Sequence, residues 1–248
     1  MWLPAGQRGG PFAAKPVPPE LNWDFWQGQT PVVDYVPQRC HLTFRYWYVY
    51  SGGTMTDWGA HHNDIALWGI GLDGPVKISG KPLVEMIPGG YTAFSEYEAH
   101  YTYANGVTHT ARSIVSENPA GAPLPGGGQR DGIKFEGTNG WVWVNREEIA
   151  ASDDDLLSTP LPAGATRLYV SDDHMGNFFE CMRTRKPTVC PAAVGHRSVS
   201  VCHLGNLAIR LGRELEWDPV REKFVHDQEA NTWLARPMRA PYDYSIAG

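Results

Sequence analysis

Asp57, His61 and Asp64, inside the run Ser51-Gly52-Gly53-Thr54-Met55-Thr56-Asp57-Trp58-Gly59-Ala60-His61-His62-Asn63-Asp64, are residue types that could do chemistry at a helical spacing. An acid four residues from a histidine can orient the imidazole and raise its basicity, which suits a general acid/base. Four residues advance a helix by about 400°, so Asp57 and His61 stack with an offset of about 40°. The same spacing also suits a helix-start aspartate beside a core histidine whose nitrogens are satisfied. A metal held by Asp57, His61 and His62 is not expected, because adjacent helical residues diverge by about 100°. Arg45 could hydrogen-bond substrate hydroxyls or serve an ordinary ion pair. Tyr48, Tyr50, Arg45 and His62 form the expected rim, with Asp64 on the same side. Trp58 is assigned to the core rather than to a sugar platform. His196 and His203 share a helix face with Ser200 and have no acid close by in sequence, so structural roles are expected for them. Arg197, Arg210 and Arg213 are expected to cap helices or pair with carboxylates.

The elements that must position these residues are legible in part. Residues 1–37 are rich in Gly and Pro and read as a long ordered loop pinned by Trp23, Phe25 and Trp26. The rest, 38–248, reads as one α+β domain. From Gly53 the pattern is helical, ended by Gly69, Gly71 and Gly74. The stretch PVKISG reads as a strand. Asn105-Gly106 marks one hairpin and Asn139-Gly140 a second, since both residues tolerate positive φ. Trp141 and Trp143 are placed on one face of that second hairpin, Val142 and Val144 on the other. Gly126-Gly127-Gly128 falls in a loop between the hairpins, and DDDLL reads as a solvated turn. Met175, Phe178, Phe179 and Met182 have helical spacing. A further helix is expected from about Val194 to Leu211, with Val201, Leu204, Ala208 and Leu211 on one stripe and Gly212 at its end. A short helix follows in the tail. Strands in the middle and helices at the ends predict a predominantly antiparallel open sheet with helices covering one face.

Composition narrows the function classes. The 248 residues are 42% hydrophobic and 19% charged, enough for a core. A net charge of -6 gives little electrostatic support for a nucleic-acid partner. No apolar run reaches the roughly 18 residues needed to span a bilayer, and no secretory leader is evident. Four cysteines without a CxxC pair point to reduced thiols and a cytoplasmic setting. Gly69-Ile70-Gly71-Leu72-Asp73-Gly74 matches G-x-G-x-x-G, but its order is helix, glycines, strand. A dinucleotide fingerprint needs strand, glycines, helix.

Gly52-Gly53-x-x-x-Asp57-x-Gly59-x-His61-x-x-Asp64 resembles the substrate-domain motif of the Gfo/Idh/MocA oxidoreductases, which act mostly on sugars and inositols with NAD or NADP. The segments LNWDFWQGQTP, TFRYWYVYSGGTMTDWGAHHNDIALW, NFFECMRTRKP, GHRSVSVCHLGNLAIRLGRELEWDP and HDQEANTWLARPMRAPY resemble, in order, the subgroup abundant in planctomycetes. The resemblance implies that Asp57 and His61 sit beside nicotinamide and substrate. His61 would exchange the hydroxyl proton, and Asp57 would orient it or relay the proton. Family members add a lysine from a Glu-Lys-Pro motif of a Rossmann domain. Here Lys15-Pro16 follows Ala14 and is no substitute. The expectation is therefore a substrate-binding domain that binds no nicotinamide cofactor by itself and works with a Rossmann domain, on the same chain or a separate one. A homo-oligomer formed through an uncovered, apolar sheet face is expected too. The rival expectations are a non-enzymatic carbohydrate-binding or oligomerisation module, and a lyase or hydrolase reusing the Asp57/His61 cleft.

Overall fold

A computed structural model describes residues 1–113 and 131–247. Its strands are β1 (Trp2–Leu3), β2 (Lys77–Pro82), β3 (Tyr97–Thr102), β4 (Thr108–Ser113), β5 (Ile133–Gly137), β6 (Gly140–Val144), β7 (Ile149–Ala151), β8 (Leu215–Asp218) and β9 (Lys223–Phe224). Its α-helices are α1 (Trp23–Gln27), α2 (Trp58–Ile70), α3 (Asp155–Ser158), α4 (His174–Thr184), α5 (Ala192–Leu211) and α6 (Gln228–Thr232). The α+β class and the mostly antiparallel open sheet are as expected. The expected Gly126-Gly127-Gly128 loop lies outside the described residues.

The main sheet runs β1-β4-β3-β2-β8-β9, antiparallel throughout except for the parallel pair β1/β4. Its centre is a meander. The β3–β4 turn carries Gly106 at φ 85°, which a β-carbon would resist. Alternation does the rest. Tyr97, Ala99 and Tyr101 point inward, opposite Gly80, Ile78, Ala111 and His109. α5 covers this face, and Val201, Leu204, Leu207 and Ala208 join the same core. α2 packs on α5. Burial of these side chains at about 25 cal/mol per Å² is what holds the layers together.

The other face, expected to be apolar, is polar at its described outward positions. Lys77, Lys81, Glu98, His100 and Arg112 occupy the outward positions, and Glu98 accepts contacts from Lys81, His100 and Arg112. Lys77 pairs with Glu214 and Glu216 across to the β8 side. The helices claim the apolar half of each alternating strand, so the solvent half is left with charge.

A second sheet, β5-β6-β7, is joined to the first by a bridge between Trp2 of β1 and Gly132, just before β5. Its hairpin turns at Thr138-Asn139, one residue earlier than expected, because Gly140 already pairs with Gly137. Trp143 is fully buried against Gly132, where a β-carbon would lie 2.6 Å from its ring. Trp141 is half-buried beneath Lys134.

The N-terminal loop is ordered by ring contacts. Trp23 stacks on Trp26 at 5.0 Å and donates to the Val33 carbonyl at 2.9 Å. Phe25 does not pin it, being 79% exposed. Arg239 of the tail donates to the carbonyls of Gly28 and Asp24, tying both ends of the domain together. DDDLL contributes to one exposed helical turn, α3, rather than a plain turn. α4 leaves Met175, Phe178, Phe179 and Met182 largely exposed. No helix among the described residues is long and apolar enough to cross a membrane.

Candidate functional site

The glycine pair works as a hinge into α2. Gly53 has φ 68°, in the left-handed region, and a β-carbon there would lie 2.9 Å from that of Ala93. A β-carbon on Gly52 would meet Thr56 and the amide of Asn206. Asn206 on α5 instead donates to the Gly52 carbonyl at 2.9 Å, fastening the turn to the core. A short 3-10 turn, Gly53–Met55, precedes α2, so the helix proper starts at Trp58, later than expected.

Asp57 stands at the N-cap of α2, yet its carboxylate caps no amide. It pairs with the guanidinium of Arg45, both side chains being about one-quarter to one-third exposed. Arg45 is aimed by its own Nε, which donates to the Leu42 carbonyl at 3.0 Å.

His61 is exposed on the flank of α2, with Trp58 in edge contact at 5.8 Å between ring centroids. Trp58 is 38% exposed, so it is not the core residue anticipated. His61 and Asp64 line a small cavity of about 290 Å³ together with Arg146, Cys190 and Ser198. Asp64 accepts from Ser198 Oγ at 2.8 Å, linking α2 to α5.

His62 is not a rim residue. It is 1% exposed; its Nδ1 lies 3.1 Å from the Trp58 carbonyl and its Nε2 3.3 Å from Asp131. Burial pushes its imidazole below the ordinary histidine range, the nearby carbonyl and Asp131 opposing. Asp131 is far away in sequence, which is why spacing alone misplaced His62.

Tyr48 and Tyr50 line a different and larger cavity, about 1200 Å³, between the N-terminal loop, α5 and the tail. Phe44 and Thr56, the sequence neighbours of Arg45 and Asp57, reach its wall. Arg210 was expected to cap a helix or pair with a carboxylate; it lies over the Tyr48 ring at 3.5 Å and donates to the Thr92 carbonyl. His196 does have an acid, Glu222 at 2.8 Å, which Arg197 also holds. Arg213 meets Asp227 and Glu229 as expected. Arg236 and His203 also line this cavity; sequence reading had no local signal for their convergence.

The glycines at 69–74 do not make a nucleotide cradle. Gly71 is the left-handed C-cap of α2 and a strand follows, so no helix N-terminus faces a phosphate there. Among the described residues, no three His, Cys, Asp or Glu side chains converge as metal ligands.

Residues 6–244 match the family described as "Oxidoreductase family, C-terminal alpha/beta domain". No curated protein matches the chain. Among solved structures, an NAD-binding protein from Listeria innocua is 12% identical with a TM-score of 0.46, over 76% of this chain and 56% of its own. An oxidoreductase from Agrobacterium radiobacter, in complex with NAD+, L-tartaric acid and magnesium, is 15% identical with a TM-score of 0.40, over 64% of this chain and 47% of its own. The chain spans about half the length of these structures.

Proposed function

Since the chain belongs to the oxidoreductase family's C-terminal alpha/beta domain, we propose that it supplies the substrate side of an NAD(P)-dependent oxidoreductase acting on CH–OH groups of a sugar or polyol. The observation that carries this is His61, exposed on the helix whose N-cap is the Arg45-held Asp57. The glycines at 69–74 offer a pyrophosphate no helix N-terminus, and we assign the cofactor to a Rossmann domain outside the described residues. What this chain's residues do is simpler. A ring nitrogen of His61 exchanges the proton of the substrate hydroxyl. Arg45 holds the Asp57 carboxylate at the head of α2, one turn before His61. Asp64, oriented by Ser198, borders the same small cavity. We place the protein in the cytoplasm and in a homo-oligomer.

The test uses the holoenzyme that includes the Rossmann domain, whether on the same polypeptide or as a partner. His61→Ala is expected to lower turnover by roughly 10²–10⁴-fold with the melting temperature unchanged. Turnover within twofold of wild type would refute the role.

A further inference from the structure

Tyr48 receives two cations. The guanidinium carbon of Arg210 lies 3.5 Å from its ring centroid and that of Arg236 lies 4.6 Å from it, so the two charges are no more than about 8 Å apart. Elsewhere in the chain, Arg45, Arg197, Arg213 and Arg239 each meet a carboxylate. Here neither arginine does, among the described residues. Arg210 donates to the Thr92 carbonyl and Arg236 to the Ser51 carbonyl, at 3.2 Å for the latter. Carbonyls solvate a cation but do not cancel its charge. Arg210 Nε is also buried with no acceptor at all, which costs free energy unless a ligand or water fills the place.

The surroundings specify the kind of ligand. The two arginines line the cavity of about 1200 Å³, somewhat larger than the roughly 300–1,000 Å³ usual for small-molecule pockets. His203, two turns before Arg210 on α5, lines it as well. His203 keeps exposed surface, while lost hydration and the Arg236 charge push its imidazole down. Trp26 and Trp233 add flat apolar wall, and Thr56 adds a hydroxyl. The one acid in the lining among the described residues, Glu222, is already held by Arg197 and His196.

We propose that this cavity binds a small organic anion, a carboxylate or phosphate on a sugar-sized body, with the anionic group held by Arg210 and Arg236 beside Tyr48. Two forked donors with no internal counter-charge match the oxygens of such a group, and charge-assisted hydrogen bonds are the strong ones. The site is independent of the role given to His61: neither His61 nor Asp57 lines it.

The test is calorimetric titration of the chain with glucuronate, with glucose 6-phosphate and with glucose as the neutral control. At least one anion is expected to bind tenfold or more tightly than glucose, and which one distinguishes a carboxylate site from a phosphate site. Arg236→Gln, on the half-buried tail, is expected to weaken that anion tenfold or more while leaving the glucose signal and the unliganded melting temperature unchanged or higher. Arg210→Gln is the second variant, with the same expected loss. Equal binding of the anions and glucose, or anion affinity within twofold of wild type in both variants, overturns the proposal. No cofactor enters these measurements, so their failure would leave the His61 assignment standing.

Discussion

At the scale of the residue, burial decides which histidines can act. His109 is buried on β4, stacked on Tyr101 at 5.1 Å, and neither ring nitrogen has a partner. Burial holds its imidazole down from about 6.5 to about 3, with the positive chain terminus adding to the effect. The unfolded chain takes up a proton near 6.5, whereas the folded chain resists until about 3. Stability is therefore complete above the unfolded value and is lost as the pH falls through that window. Between pH 6.5 and pH 5 the loss from this one group is about 2 kcal/mol. His109→Phe keeps the ring and is expected to flatten that acid limb in urea unfolding curves taken across the window. The Arg45–Asp57 pair is different in kind, being partly solvated. A double-mutant cycle with Arg45→Met and Asp57→Asn is expected to give a coupling of about 0.5–1 kcal/mol, read from urea midpoints. His61 is reached from sequence because its exposure depends on its place around α2. His62 is not, because Asp131 and the second sheet bury it from a distance. The arginine pair over Tyr48 brings together positions 48, 210 and 236, and no local pattern announces such a meeting.

At the scale of the element, close approach sets the tolerances. Gly205 lets α5 settle on β3: a β-carbon there would lie 2.1 Å from the Tyr101 hydroxyl and 3.1 Å from its ring carbon. Tyr101 is 1% exposed and has no room to swing away. Gly205→Ala is expected to cost about 1–3 kcal/mol in urea unfolding. The end of α2 carries a second expectation. Since its glycines close a helix instead of opening one, the chain alone is expected to show no micromolar NAD or NADP binding by calorimetry. The hairpin at Asn105-Gly106 was legible because a turn's φ requirement is local. β1 was not, since two residues become a strand only through β4. The polar face was missed for the same reason. Alternation shows that a strand has two faces, but α5 determines which is covered.

At the scale of the molecule, the polar sheet face carries both signs of charge, Lys77 and Lys81 beside Glu98 and Glu216. A surface of mixed sign can be complementary to a second copy of itself about a twofold axis. The proposed homo-oligomer, if built there, is expected to weaken as salt rises, because exposed pairs are screened within about 10 Å at 0.1 M. Light scattering at low and high ionic strength checks this, and a 27.5 kDa monomer at both would count against it.

The strand order has a consequence for synthesis. The β2-β3-β4 meander is complete once residue 113 has left the ribosome, yet its cover, α5, ends at Leu211. At about 5–20 residues per second, those further residues take on the order of 5–20 s to appear. Throughout that interval the nascent sheet shows Ile78, Tyr97 and Tyr101 to water, although each is sealed in the finished fold. A growing chain with such a face is a substrate for chaperones that hold apolar surface, and codons between 114 and 211 that slow translation would lengthen its exposure.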